Sequence, residues 1–518
     1  MILSSLFEFA VNRHPNEIAI IENNKKYSYK EFDQLTNKLA YSLQKIGIRK
    51  GNRIVTLTKN RMEMVAMYWA AQKIGAIFTP INFRLSSEEV RYCVENAEAT
   101  LVLYERVSED ALMGAMNKKN KPILISVHKD KKADQNFEFF INQENENFIK
   151  PNLTDDDVCL MLYTSGTTGK PKGVPRTNKN EYSASTAHII QNEYITKERT
   201  LGIMPLYHTM GMRSLLAMTF LNGTLVMIPE FEPEAVLETI EKEKVSCVYL
   251  VPTIIHDVLN HHKFKDYNLS SLKKVGYAGA AMTKKLTEDV YDKLNPEVFV
   301  NHYGSTEVYT YTICNYLNEK PGCAGRAGFH QYIRVVTPDP DGNVTPNDIV
   351  SQGESGEIIV NTESIEAFQG YWKRPEATKK ALREGWYFTG DMGEIDEEGD
   401  LYVVGRVDDM IISGGENIHP LEVEDILAKH SDVQEAVVVG VKNERWGEKV
   451  VAYVVTKSKD LTSEMLDQYC KSEPGLSNFK RPRQYVFVDE IPKSPVGKIL
   501  RNKLREQQNQ LIFKEGVS

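Results

Sequence analysis

The sequence contains no CxxC pair and no dense cysteine framework: its six cysteines (Cys93, Cys159, Cys247, Cys314, Cys323, Cys470) are scattered over 518 residues. That spacing argues against a zinc ribbon or a disulfide-stapled secreted scaffold and suits a reducing, cytoplasmic compartment. Basic charge is not in excess either. Lys and Arg number 63 against 71 Asp and Glu, a net charge of −8, so no global field recruits nucleic acid or an anionic membrane. Long apolar runs are missing: the most apolar stretch of the first hundred residues, Met64 to Ile81, is broken by Gln72 and Lys73, and stable membrane insertion is not expected. The start, Met1 to Ala10, has no basic segment and contains Glu8. Leu3, Leu6, Phe7 and Ala10 fall at helical spacing, which predicts an amphipathic helix rather than a signal peptide. Internal repeats and low-complexity tracts are also lacking, which excludes a solenoid.

What is present is an ordinary globular composition, 41% hydrophobic and 26% charged, in a chain too long for one core. Helix-like and strand-like patterns alternate. Ser28 and Glu31 form a capping box opening a helix over 29–45. Strands are predicted at 53–57 and 99–104 around a helix at 62–73, and a lysine-rich excursion at 117–134 has room only for a short strand at 122–127. A second such run holds strands at 225–228, 247–251 and 298–300 and helices at 233–242 and 284–294. This rhythm predicts an α/β fold. After Gly353 come short strands and glycine turns (356–360, 399–404). The polar break Gly405-Arg-Val-Asp-Asp409 then precedes a remainder long enough for a small domain, with a helix at 420–430 and a strand at 435–441.

The most informative segment is Tyr163-Thr-Ser-Gly-Thr-Thr-Gly-Lys-Pro-Lys-Gly-Val174, which follows the apolar strand 158–162. Gly166 and Gly169 let successive N–H groups point inward as an anion nest. Thr164, Ser165, Thr167 and Thr168 add hydroxyl donors, and Lys170 and Lys172 add charge. A lone GxxG is most often a polar turn, but this density of donors suits a triphosphate. It is not a Walker loop, because Pro171 stands where the helix would begin.

Other segments have matching chemistry. Asn301-His-Tyr-Gly-Ser-Thr-Glu307 offers the π-face of Tyr303, a hydroxyl at Thr306 and a hard oxygen ligand at Glu307. Gly276-Tyr-Ala-Gly-Ala-Ala-Met282 is a strand end of small residues that a ligand can approach closely. Trp386-Tyr-Phe-Thr-Gly-Asp391 ends in a carboxylate able to accept from both hydroxyls of a diol. Two further strings are Gly405-Arg-Val-Asp-Asp-Met-Ile-Ile-Ser-Gly-Gly-Glu-Asn-Ile-His-Pro420 and Lys493-Ser-Pro-Val-Gly-Lys498.

Taken in order, these strings resemble the signature motifs of the adenylate-forming superfamily, over residues 5 to 510. They are closest in texture to acyl- and aryl-CoA synthetases of the benzoate and chlorobenzoate type. The resemblance implies a large α/β amino-terminal domain of several subdomains (1–407) and a small, mobile α+β carboxy-terminal domain (408–518) carrying the catalytic lysine. It implies ATP, Mg²⁺ and coenzyme A as cosubstrates and cofactor, with a small-molecule carboxylic acid as partner; a monomer and a homodimer are both compatible.

By the same resemblance the nucleotide falls to Thr164, Ser165, Gly166, Thr167, Thr168, Gly169, Lys172, Gly279, Ala280, Ala281, Asn301, His302, Tyr303, Gly304, Thr306, Asp391, Arg406 and Lys498. Glu307 holds the metal, Lys498 is the catalytic lysine bridging carboxylate and α-phosphate, and Thr164 and His208 complete the catalytic set. Asp408 is the hinge. Coenzyme A is assigned to Arg84, Gly414, Gly415, Trp446, Phe479 and Arg481. The acyl pocket is assigned to His208, the gate in Met204-Pro-Leu-Tyr-His-Thr-Met-Gly211, with Thr209, Met210, Tyr249, Ala280, His302, Tyr309 and Thr310. Polar-tipped rings there suit a short or planar acid, one bearing a hydroxyl included; an aryl acid and a medium- or long-chain fatty acid both stay open. A carrier-loading adenylation enzyme is the alternative. One departure stands out: Thr177-Asn178 replaces a histidine many relatives have after the phosphate loop, which touches local packing only.

Overall fold

The computed structural model describes the chain except residues 117–120, 165–169, 339–342, 414–415, 444, 474–475, 494–498, 507 and 509–518. The chain divides into two compact units, Met1–Tyr332 with Val360–Gly385, and Ile333–Ile359 with Trp386–Ser518.

The first unit holds two sheets. In the nine-stranded sheet the order is Arg326–Ala327, Tyr309–Cys314, Val298–Ser305, Lys274–Ala278, Cys247–Leu250, Arg199–Gly202, Thr224–Met227, Ile18–Glu22 and Lys25–Ser28. The six strands from Val298–Ser305 to Ile18–Glu22 are mutually parallel, and antiparallel strands close both edges. The seven-stranded sheet runs Gln135–Asn136, Ile123–Ser126, Ala99–Tyr104, Arg53–Leu57, Ile77–Pro80, Val158–Thr164 and Lys172–Thr177, antiparallel only at the last pair. Parallel strands need helical crossovers, and these supply the core. Helices Leu3–Arg13, Met62–Ile74 and Thr209–Leu221 share one apolar cluster with residues of both sheets, such as Ile20, Leu225, Ile54 and Leu160. Helix Met62–Ile74 is therefore buried at every residue but Glu63, and Trp69 stacks on Phe7 at 4.6 Å.

The predicted elements are present. The box of Ser28 and Glu31 caps Tyr29–Lys45, and the amino-terminal helix is Leu3–Arg13. Strand 298–300 continues through Ser305 because its outer half pairs with Tyr309–Cys314. The mixed α/β architecture with a larger and a smaller unit is the expected fold class.

In the second unit, Trp386–Ile395 pairs antiparallel with Leu401–Arg406, beside Gly356–Asn361 and Ile333–Val336. A second sheet is built on the long hairpin Val433–Asn443 and Gly447–Thr456, joined by Ile411–Ser413, Glu416–Ile418 and Gln484–Phe487. Helices Pro420–Ala428 and Ser463–Ser472 cover its core. Gly405–Asp409 lies inside this unit. Among the described residues no helix is long and apolar enough to cross a membrane.

Candidate active site

In an open α/β sheet, ligands bind beyond the carboxyl ends of parallel strands, and the predicted segments of the first unit collect there. Arg199–Gly202 leads to His208, Lys274–Ala278 to Gly279–Ala281, and Val298–Ser305 carries Asn301 to Gly304. Gly279 takes φ +88°, and a Cβ would lie 3.3 Å from Val251 Cγ1. The chain thus turns out of the sheet, leaving Ala280 and Ala281 exposed. Gly304 has another constraint: a Cβ would fall 1.6 Å from the carbonyl oxygen of Tyr309. Only glycine lets the strand fold back so closely, and the fold-back sets Tyr303, Thr306 and Glu307 side by side in the chain.

The phosphate-loop hairpin meets Glu307. Residues 165–169, which carry Ser165, Gly166, Thr167, Thr168 and Gly169, lie outside the described residues, but both flanks are defined. Thr164 Oγ1 lies 3.5 Å from the carbonyl oxygen of Lys172, and Lys170 sits over the Tyr92 ring at 5.2 Å. The Lys172 ammonium lies 4.1 Å from the centre of the Tyr371 ring. The Tyr371 hydroxyl donates to Glu307 Oε1 at 2.8 Å. One lysine of the loop and one buried carboxylate are thus joined through a tyrosine absent from the predicted set. The groups fit Mg²⁺ beside phosphate: a carboxylate oxygen for the metal and a lysine for the phosphate, with no soft ligand beside Glu307 among the described residues.

A buried ionic triad supports this arrangement. Glu181 accepts from Arg176 Nε at 2.9 Å and from Arg213 Nη2, with all three side chains solvent-inaccessible or nearly so. Arg176 Nη1 also donates to the carbonyls of Glu307 at 3.1 Å and Glu366 at 2.7 Å. Arg213 donates to Ser185 Oγ at 2.6 Å and packs 4.3 Å from the Tyr309 ring centre. Tyr309, at φ +62°, donates its hydroxyl to the carbonyl of Thr209 at 2.5 Å. The triad therefore ties the hairpin after the phosphate loop, helices Asn178–Gln191 and Thr209–Leu221, and the turn carrying Glu307. No local motif announces it, since its members are brought together by helix packing.

His208 is the N-cap of Thr209–Leu221, its Nδ1 accepting from Met210 N at 3.4 Å. The cap orients the ring at a helix amino terminus, where an anion is favoured. Thr209 and Met210 are buried behind it. Tyr249 and His302 pack edge to face at 5.2 Å, and His188, not among the predicted residues, lies against both. Burial holds the His302 imidazole pKa down at about 3 and lowers that of His188 as well. Asn301 donates to the Cys323 carbonyl at 2.9 Å, Tyr303 packs edge-on to Tyr311 at 5.1 Å, and Thr310 is buried. At the departure noted above, Thr177 caps Asn178–Gln191 and the Asn178 side chain accepts from Leu3 N at 3.0 Å, a packing role.

In the second unit, Asp391 and Arg406 face each other across paired strands and form an ion pair of 2.5 Å. Gly390, at φ +72°, leaves room for this guanidinium: a Cβ would lie 3.0 Å from Arg406 Nη2. Asp408 is exposed in a short 3₁₀ turn, Val407–Asp409. Trp446 has Arg445 and Arg483 over its ring at 5.3 and 5.4 Å. Phe479 is exposed, whereas Arg481 is paired with Asp467, so Arg483 is the guanidinium set beside Trp446. Gly414, Gly415 and Lys498 lie outside the described residues. In the first unit, Arg84 is exposed and packs over Phe83 at 4.9 Å.

Residues 7–372 match the family model "AMP-binding enzyme", and residues 422–498 match "AMP-binding enzyme C-terminal domain". The chain is 30% identical to the long-chain-fatty-acid–CoA ligase FadD13 of Mycobacterium tuberculosis over 94% of both chains. It is 31% identical to a feruloyl-CoA synthase of an Amycolatopsis species over 95% of this chain and 96% of that one. The o-succinylbenzoate CoA synthetase of Bacillus subtilis, solved with ATP and a magnesium ion, superposes with a TM-score of 0.83 at 27% identity, covering 96% of this chain and 98% of the other. The same enzyme has been solved with its acyl-adenylate intermediate. With both family models matched over most of the chain, the chain belongs to the AMP-binding, adenylate-forming enzyme family, among acyl- and aryl-CoA ligases.

Proposed function

We propose that this enzyme activates a carboxylic acid with ATP, as an acyl-adenylate, and transfers the acyl group to coenzyme A. The observation that carries the reading is the meeting of the phosphate-loop hairpin with the Glu307 carboxylate through Lys172 and Tyr371, at the sheet edge that also presents His208 and Tyr303.

The chemistry is in-line attack of a carboxylate oxygen on the α-phosphorus, with pyrophosphate leaving. The obstacle is charge, because an anion must approach a polyanion, so catalysis is positioning and electrostatic stabilisation. The loop from Thr164 to Lys172 binds the β and γ phosphates. Tyr303 stacks on adenine beside Gly279–Ala281, and Asp391 with Arg406 takes the ribose. Glu307 would hold Mg²⁺, which supplies charge neutralisation at the phosphates. His208, fixed at its helix terminus, borders the acid's carboxylate, and Lys498 contacts carboxylate and α-phosphate together. Thioester formation then needs the domain 408–518 to turn about Asp408, removing Lys498 and bringing Trp446 and its arginines to coenzyme A. All six cysteines are buried thiols, which suits a cytoplasmic location.

Purified protein incubated with ATP, Mg²⁺ and a panel of benzoates, cinnamates and fatty acids tests this. Steady AMP release that requires both one acid class and coenzyme A is the expected result. Acid-dependent pyrophosphate exchange to which coenzyme A adds nothing would instead make a carrier protein the acceptor.

A further inference from the structure

Helix Asn178–Gln191 ends in a buried polar turn. His188, Gln191 and Asn192 are 1%, 8% and 1% exposed, and spacings of three and four residues put them on one face. The Asn192 amide nitrogen donates to the carbonyl of His188 at 2.7 Å, which fixes the orientation of the amide. Its nitrogen therefore faces His188 Nδ1 at 3.2 Å, and its oxygen faces His302 Nε2 at 3.2 Å. Both rings are held neutral by burial, so the two tautomers follow. His188 accepts at Nδ1 and carries its proton on Nε2. His302 donates from Nε2 and keeps a lone pair on Nδ1. Among the described residues neither His188 Nε2 nor His302 Nδ1 has a hydrogen-bond partner, and neither do the amides of Gln191 and Gln331.

These groups belong to one region. Tyr249 packs against both histidine rings at 4.6 and 5.2 Å. Gly276 makes room for Asn192 and Tyr249: a Cβ there would lie 2.7 Å from Asn192 Oδ1 and 3.0 Å from Tyr249 Cδ2. Gly328 brings in the glutamines, since a Cβ would meet Gln191 Nε2 at 3.0 Å, the Thr310 carbonyl at 3.0 Å and Gln331 Cγ at 3.3 Å. Tyr309 links the region to the gate through its bond to Thr209, next to His208. The cation that reaches Tyr309, Arg213, is engaged by Glu181 and Ser185. Among the described residues the cluster named here, His188, Gln191, Asn192, Tyr249, His302 and Gln331, contains no carboxylate and no ammonium.

A buried donor or acceptor without a partner is costly, and an alkyl chain laid against it cannot repay that cost. A second carboxylate or an amine on the acid would find no counter-charge there. Resting on the ligase reading above, we infer that this enzyme's acid is planar and carries a hydroxyl at the end remote from its carboxylate. His188, Gln191, His302 and Gln331 read that group: the hydroxyl donates to His302 Nδ1 or a glutamine oxygen and accepts from His188 Nε2–H or a glutamine N–H. These residues act on specificity, not on the reacting atoms.

The test compares pyrophosphate exchange for matched acids: benzoate with 4-hydroxybenzoate, cinnamate with 4-hydroxycinnamate, and octanoate and palmitate beside them. The hydroxylated member of a pair should exceed its unsubstituted partner in kcat/KM by about 100-fold or more, because a site built around a hydroxyl rejects the analogue lacking it. In Gln191→Leu and, separately, His188→Leu the gap should shrink at least tenfold, through a higher KM for the hydroxylated acid, with the KM for ATP unchanged. Equal or better exchange with an unsubstituted or fatty acid overturns this inference and leaves the ligase reading intact. Exchange with none of the acids overturns the ligase reading, and this inference with it.

Discussion

Replacing Glu181 by Gln strips the anion from between two guanidiniums that have no access to water. Removing one partner of a buried ionic group costs about 3–5 kcal/mol, because the remaining charge stays buried without compensation. Glu181 serves two arginines, so the upper part of that range is expected. The first unit has about 360 residues, and an unfolding entropy of about 2 cal/mol/K per residue converts about 5 kcal/mol into a fall in Tm of about 7 °C. Thermal unfolding followed by near-ultraviolet circular dichroism reads this directly. The catalytic consequence is separable. Replacing all three residues by apolar ones of similar volume (Arg176→Met, Glu181→Leu, Arg213→Met) removes the whole triad's charge and should bring stability back to within about 2 kcal/mol of the parent. Acid-dependent pyrophosphate exchange should nevertheless remain depressed by about 10- to 100-fold. The contacts of Arg176 to the Glu307 and Glu366 carbonyls and of Arg213 to the Tyr309 ring are gone, and small displacements of a site cost rate on that scale. A Tm for Glu181→Gln within about 1 °C of the parent, or full exchange in the triple variant, refutes the argument.

Glu307→Gln should raise the Mg²⁺ concentration for half-maximal exchange and lower the maximal rate by about 100-fold, whereas Tyr371→Phe, which keeps the carboxylate, should lose less than tenfold; a Mg²⁺ titration of exchange separates them. Lys498→Ala should depress adenylation by a factor of several hundred, from the loss of about 3–4 kcal/mol of contact to the developing charge. Asp408→Pro should spare adenylation and depress thioester formation, as read by exchange against acyl-CoA release; equal loss of both would sink the hinge. His302, its pKa held at about 3 by burial, stays neutral while the unfolded chain's imidazole protonates below its usual 6.5. Stability therefore falls with falling pH through that window, and urea unfolding at pH 6 and pH 5 should show the parent losing about 1 kcal/mol more than His302→Gln. Parallel losses would show that the ring titrates freely.

The chemistry-bearing segments could be read from the chain because each is a local solution to a local problem. The glycines and hydroxyls of residues 163–174, the small residues of 276–282 and the capping box at Ser28 depend on near neighbours in sequence. Backbone geometry over a few residues is enough to specify them. Helix Asn178–Gln191 was hidden for the opposite reason. Asn178, Asn180, Glu181, Ser183, Ser185, His188 and Gln191 are all buried, so its inward face is as polar as its outward one and leaves no apolar period. Nothing near Tyr371 in the chain signals Glu307, 64 positions away. Arg213 and Arg176 converge on Glu181 only because two helices pack together. Sequence alone determined the reaction class, since phosphate cradles are built from contiguous backbone. Which groups hold those cradles rigid, and which face the acid, was decided by tertiary packing, because unpaired charge and unpaired polar atoms acquire their meaning only once water has been excluded around them.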